Sequence, residues 1–185
     1  KDPAYVGRAK EVQRAEKARE ALISGESDVH PCAELPEIKA VMSVIKTQFP
    51  DLTHETFGIG STIFAVKPGD GSAREQAASC QKVLGGDANI CYEYATKRYR
   101  SNCINWGIVP FTIAKDVEFN YEPGDKVFIP GIREAMLAGK EEIDAQVITK
   151  EGVKPIHLYF QNLTANERQI LADGCLMNYY ASSKR

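Results

Sequence analysis

The segment Pro68-Gly69-Asp70-Gly71-Ser72-Ala73-Arg74-Glu75 gathers the residue types best suited to chemistry in this chain. Two glycines make a tight turn. A serine then stands at the start of a helix, and an arginine falls in its first turn. Such a turn puts a hydroxyl, a guanidinium and free backbone N–H groups on one small patch, which suits an anionic substrate. Arg74 sits where the helix dipole favours acids, and an anionic ligand supplies a reason for a cation there. Ser72-Ala73-Arg74-Glu75 also has the Ser-x-x-Glu form of a capping box, in which the hydroxyl does nothing but cap. Gly69 and Gly71 favour the binding reading, because they admit positive φ and close approach of a ligand. A serine beside a helix N-terminus and a guanidinium can also act as a base, since both stabilise its alkoxide. No obligate histidine partner is visible. His30, His54 and His157 lie far away in sequence and read as surface or structural residues. The Gly-x-Ser-x-Gly elbow is unmatched, which argues against a conventional serine hydrolase.

The elements that must hold this turn are legible on either side of it. Thr62 to Val66 reads as a strand leading in, and Ser72 to Leu84 as a helix leading out, stopped at Gly85-Gly86. A strand over Ala88–Cys91, a helix over Tyr94–Trp106 and a strand over Ile108–Ile113 follow. This β-α-β-α-β order implies a parallel sheet with crossover helices. Upstream, Ala4–Ser24 predicts a helix stopped at Gly25. A polar connection spans Glu26–Leu35, and a second helix begins near Pro36 and is closed by Pro50. Downstream, Lys126–Ile129 reads as a strand and Ile132–Ala138 as a short helix. Ala145–Thr149 and Pro155–Phe160 read as a hairpin. The capping box Thr164-Ala165-Asn166-Glu167 opens a closing helix through Asn178. Residues 1–50 are therefore expected as a helical segment packed on the core, and 51–185 as the main domain.

Composition narrows the function classes. The chain has 185 residues, enough for one well-buried core. A net charge of −2 gives no electrostatic case for nucleic acid or an anionic membrane. Lys97, Arg98 and Arg100, interleaved with Tyr94 and Tyr99, read as a solvated helix face rather than a nucleic-acid surface. No apolar run is long enough to span a bilayer. Five cysteines, an odd count with no C-x-x-C pair, fit a reducing cytoplasmic setting better than a disulfide framework or a metal site. Asn162-Leu163-Thr164 matches a glycosylation sequon, but Thr164 is needed as a cap. Tyr179-Tyr180 is expected to pack against the core or a neighbouring domain. The abrupt charged start, Lys1-Asp2-Pro3, suggests a piece of something larger.

Three ordered blocks carry a resemblance. Gly69-Asp70-Gly71-Ser72-Ala73-Arg74-Glu75-Gln76-Ala77-Ala78 resembles the Gly-x-Gly-Ser-Ser-Arg-Glu-His-Ala-Ala motif of the aconitase superfamily. Leu84-Gly85-Gly86-Asp87-Ala88-Asn89-Ile90 is similar to that family's Leu-Gly-Gly-x-Ala-x-Ile. Arg100 to Pro110 resembles the Asn-Cys…Gly-Leu-Leu-Pro stretch of the related isopropylmalate isomerase small subunit. The resemblance is clear over Phe57–Ile113 and looser over Pro123–Tyr180. It implies an α/β fold: a swivelling three-layer β/β/α domain with a mainly parallel sheet, here preceded by N-terminal helices. It implies a hydro-lyase acting on a hydroxy polycarboxylic acid, with Ser72 as the catalytic base. Arg74, Gly71 and Ala73 would bind substrate. A [4Fe-4S] cluster would be held by large partner domains or a partner subunit, and none by this chain, which alone would be inactive. Ala73 and Gln76 depart from the motif's second serine and its histidine. The Thr-Thr-Asp-x-Ile stretch and the second substrate arginine are not found before Ser72. The departures leave two alternatives: a non-catalytic anion-binding or regulatory module of the same fold, or the small subunit of a two-chain isopropylmalate-type isomerase.

Overall fold

The computed structural model describes residues 3–183. The chain divides into two compact units, residues 1–61 with 84–86 and residues 62–83 with 87–185. The first unit holds α1 (Tyr5–Ser24), α2 (Pro31–Glu34) and α3 (Glu37–Lys46). Gly25 ends α1 with φ 75°, where its N–H reaches the Ala21 and Leu22 carbonyls. The stretch expected as a plain polar link carries α2. Pro31 opens this helix, and His30 Nδ1 accepts the Cys32 N–H at 3.2 Å. Ala15, Leu35 and Ile38 form the core of this unit, with Val12, Cys32, Met42 and Ile59 packed against them.

The second unit is built on strands β1 (Ser61–Ala65), β2 (Gly86–Cys91), β3 (Val109–Thr112), β4 (Lys126–Phe128), β5 (Glu142–Thr149) and β6 (Gly152–Tyr159). They make one sheet in the order β1-β2-β3-β6-β5-β4. Helices α4 (Arg74–Val83) and α5 (Lys97–Asn105) are the crossovers of the first three strands. β2 and β3 are parallel, with Ala88 opposite Val109 and Cys91 opposite Thr112. β1 runs the same way, as bonds from Ser61 N–H to Gly85 O and from Tyr92 N–H to Val66 O show. The other half is antiparallel, because β5 and β6 are joined by a tight turn that reverses the chain. β4 adds to β5 in the same antiparallel sense. The sheet is thus mixed, and its parallel part ends at β3. A single partner pair, Thr112 with Tyr159, joins the two halves.

Both halves feed one core. Ile90, Phe111, Ile113, Val147, Ile156, Leu158 and Phe160 meet residues of α5, of α6 (Ile132–Leu137) and of α7 (Ala165–Ala172). The expected closing helix is two helices, α7 and α8 (Leu176–Ser182), broken at Gly174, whose φ is 92°. Gly107 lies against this break: a Cβ there would fall 1.7 Å from the Gly174 carbonyl oxygen, so the close approach requires glycine at 107. For the site, the useful consequence is the parallel half. Its strands β1, β2 and β3 all end at the same edge, where the turns into α4 and α5 begin.

Candidate active site

The Pro68–Ala73 turn follows β1 at that edge. α4 begins at Arg74, two residues later than Ser72, so Ser72 stands ahead of the helix rather than in it. Its side chain is exposed and makes no hydrogen bond to the described residues. The capping box the sequence permits does not form. Its glutamate is engaged elsewhere: Trp106 Nε1 donates to Glu75 Oε1 at 2.5 Å. The Asn102 amide also faces Glu75, and with its oxygen and nitrogen exchanged it accepts the Glu75 N–H at 3.2 Å and donates to Oε2 at 3.3 Å. With Glu75 turned away, the Ser72 hydroxyl is free. The N–H groups of Ser72 and Ala73 also lack an acceptor among the described residues.

Arg74 is half-buried. Its Nε donates to the Gly69 carbonyl at 3.2 Å, and its Nη1 and Nη2 have no partner among the described residues. A guanidinium held by one nitrogen, with two left over, is ready to take a carboxylate. The two glycines play different parts. Gly69 takes φ 97°, and a Cβ on it would sit 2.5 Å from Tyr99 Cβ and Cδ1. Gly71 does not adopt positive φ, so the expectation of a left-handed residue there is corrected. It instead leaves open space, with nothing within 4 Å of the place a Cβ would occupy.

Helix α5 braces the turn. Thr96 caps it, its Oγ1 accepting the Tyr99 N–H at 3.2 Å, and the same hydroxyl donates to Gly69 O at 2.9 Å. Ala95 N–H donates to Pro68 O at 2.9 Å. The arrangement is a strand–turn–helix that carries an exposed hydroxyl, a half-buried guanidinium bonded through Nε alone, and spare N–H donors within three residues of one another.

The Aconitase C-terminal domain family matches residues 14–116. The chain belongs to this family. A mitochondrial protein of Emericella nidulans, named as an aconitate hydratase, is 29% identical over 112 residues. The match takes in 60% of this chain and 14% of that protein, so the chain spans about one seventh of that relative's length. The crystal structure of a 3-isopropylmalate dehydratase from Methanocaldococcus jannaschii is similar at 30% identity, with a TM-score of 0.50. That likeness covers 77% of this chain and 74% of the other.

In this aconitase C-terminal domain a buried polar chain lies beneath the turn. Gln81 of α4 donates to Asn89 Oδ1 at 2.6 Å. Asn89 Nδ2 then reaches the Tyr99 hydroxyl at 3.3 Å and Cys103 Sγ at 3.5 Å. Burial pushes the Cys103 thiol up to about 11 and the Cys91 thiol up to about 12. Both are therefore protonated near neutrality and are poor nucleophiles and poor metal ligands. All five cysteines are free. Among the described residues no three His, Cys, Asp or Glu side chains converge as a metal site. The side chains of the described residues thus offer no donor set that fits an iron–sulfur cluster.

Charge collects at the same strand ends. Lys67 follows β1, Glu93 follows β2 and Lys115 follows β3. Glu93 pairs with Lys67 and, at 3.0 Å, with Lys115. The two lysines, Lys67 foremost, hold its carboxyl down at about 2. The basic face read on α5 is only partly solvated. Arg100 pairs with Glu167 at 3.3 Å and donates to Gln161 O at 2.9 Å, while Tyr99 is buried. None of the histidines touches the serine turn. His30 and His54 stack edge to face at 4.6 Å, and His157 sits between Glu142 and Asp144, which raise its pKa. Tyr179 packs on the core, and Tyr180 is exposed. No helix among the described residues is long and apolar enough to cross a membrane.

The residues that sequence reasoning missed are Thr96, Asn102 and Trp106. Only Thr96 left a local signal, a threonine at a strand-to-helix junction. Trp106 and Asn102 act on Glu75 across 31 and 27 positions, respectively, and no local pattern shows such a partnership.

Proposed function

We propose that this chain is the swivel domain of an aconitase-type hydro-lyase, supplying Ser72 as the base and Arg74 as a carboxylate anchor. The substrate class is a hydroxy polycarboxylic acid. The observation that carries the reading is the exposed Ser72 hydroxyl, left without a partner beside a guanidinium whose Nη nitrogens are unpaired. In the dehydration direction a substrate carboxylate binds across the Arg74 Nη nitrogens and the spare N–H groups of the turn. The Ser72 alkoxide, favoured by Arg74 and the start of α4, takes the proton from the carbon next to a carboxylate. The C–H electron pair becomes the C=C bond as the C–O bond to the neighbouring hydroxyl breaks. Ser72 ends protonated and the hydroxyl departs as hydroxide, to be neutralised outside this chain. Hydration is the reverse.

An iron–sulfur cluster, where the parent enzyme uses one, would be held by other domains or a partner subunit and would act on the departing hydroxyl. Closure of that partner over the open turn would exclude water and complete the site. The chain by itself would then be inactive. Five free thiols support a reducing, cytoplasmic setting.

Two arrangements serve this role equally, a domain of one long chain or a separate small subunit of an isopropylmalate-type isomerase. The decisive experiment is Ser72→Ala in the complete enzyme. Turnover should fall about 10²–10⁴-fold, the usual worth of a positioned base. The melting temperature should be unchanged, because the hydroxyl bonds to nothing among the described residues. Full turnover in this variant would favour the non-catalytic anion-binding module that Ala73 and Gln76 leave open.

A further inference from the structure

Resting on that reading of Arg74, we infer that Thr96 is a positioning residue that sets the direction of the substrate-binding guanidinium through the Gly69 carbonyl. Two donors share that one oxygen: Thr96 Oγ1 at 2.9 Å and Arg74 Nε at 3.2 Å. A carbonyl has two lone pairs, so each donor takes one. Thr96 is itself held in place by a second bond, its hydroxyl accepting the Tyr99 N–H at 3.2 Å as the cap of α5.

The oxygen needs such a fixture. Gly69 is a glycine in the left-handed region, at φ 97°, and a glycine peptide turns more freely than any other. The Tyr99 ring blocks one side of its Cα, and Thr96 fixes the carbonyl. The fixation closes into a ring of contacts. Tyr99 bonds Asn89, Asn89 bonds Gln81, and Gln81 lies on the same helix that Arg74 begins. Arg74 therefore receives a rigid acceptor at Nε and presents its two Nη nitrogens in one direction. Without the Thr96 donor, the Gly69 peptide is free to rotate and Arg74 loses its fixed anchor.

The test uses Thr96→Val, which keeps the shape and loses the hydroxyl. Thr96→Gly is the partner variant, because glycine is itself a well-tolerated helix N-cap and so protects against a variant that fails to fold. Thr96→Ser, which keeps donor and cap, is the rescue. In the 185-residue chain, heteronuclear NMR reads the Arg74 Nε–H signal and its exchange with solvent. Valine and glycine at 96 should shift that signal and speed its exchange, and serine should restore it. In the complete enzyme assayed with citrate, both variants should raise KM about tenfold with kcat changed less than about threefold, the pattern of a lost binding interaction. An unaltered Arg74 Nε–H in both variants overturns the inference. So does a stability loss with no change in that signal, which would mark Thr96 as a cap alone. If the parent enzyme lacks hydratase activity, the functional reading of the site falls and the NMR result still decides whether Thr96 orients Arg74.

Discussion

Two four-residue stretches of this chain carry the same signature and do opposite things. Thr164-Ala165-Asn166-Glu167 is a true capping box: Thr164 Oγ1 accepts the Glu167 N–H at 3.2 Å, and Glu167 Oε2 accepts the Thr164 N–H at 2.8 Å. Ser72-Ala73-Arg74-Glu75 forms no such box. Glu75 is drawn to Trp106 and Asn102 on the next helix, the helix begins at Arg74, and the hydroxyl is left open. The comparison teaches that a local motif describes what a segment can do. A long-range partner settles whether it does so. At 164 no competing partner diverts the glutamate from the cap, although Arg100 also shares its carboxylate at 3.3 Å. At 72 the competitor wins, and a hydroxyl that would have been spent on the backbone remains available to a ligand.

The contrast breaks most sharply if the two hydroxyls are removed in turn. Ser72→Ala should cost turnover by orders of magnitude and stability by nothing measurable, as set out above. If Ser72→Ala instead lowers the melting temperature as a lost cap would, the two stretches are alike after all.

Next in size is Gly69→Ala. The new Cβ meets Tyr99 at 2.5 Å in a left-handed backbone, so backbone strain and overpacking should each add about 1–3 kcal/mol. Chemical denaturation would read this loss. A stability within error of the parent protein would show that the turn is not pinned against α5.

Thr164→Ala should cost about 1 kcal/mol, a drop of about 2–4 °C in melting temperature for a chain this long. Turnover should be untouched. A loss of turnover at unchanged stability would place Thr164 in a role the capping geometry does not provide.

The smallest and most discriminating change is Trp106→Phe, which removes the indole donor to Glu75. Stability should fall by about 1 kcal/mol, because the indole packs on the Tyr99 cluster and donates to Glu75. If Trp106 is what keeps Glu75 from closing the box, kcat should fall by about threefold or less as Ser72 becomes partly capped. Activity identical to that of the parent protein would assign the diversion of Glu75 to Asn102 alone.

Much of the fold was legible because its signals are local. Gly25 at the end of α1, the β1–α4–β2–α5–β3 succession, the β5–β6 hairpin and the Thr164 cap all depend on neighbours within a turn or a strand. The short helix α2 escaped notice because its start rests on a histidine cap, a weak sequence signal. The break between α7 and α8 was missed for a different reason. A glycine inside a helical pattern is usually tolerated, and the pattern alone does not show that Gly174 takes the left-handed φ of 92° that parts the two helices.

The antiparallel half of the sheet shows the same limit. The hairpin was readable, but its pairing to β3 through Thr112 and Tyr159 joins residues 47 positions apart. Within the candidate site, the residue types and the glycine-rich turn were visible at once. The free state of Ser72, the half-committed Arg74 and the different roles of Gly69 and Gly71 were not.

From its order of residues alone, this chain determined its α/β character, the place of the serine turn between a strand and a helix, and the family it belongs to. Those depend on periodicity, turn chemistry and short spacings, which act between near neighbours. Tertiary structure decided which side chain each polar group would bond. It took Glu75 from Ser72, gave one Gly69 oxygen to both Thr96 and Arg74, and pressed Tyr99 against that glycine. Hydrogen bonds reach only about 3 Å, so the choice among partners waits until folding has brought distant elements within that distance.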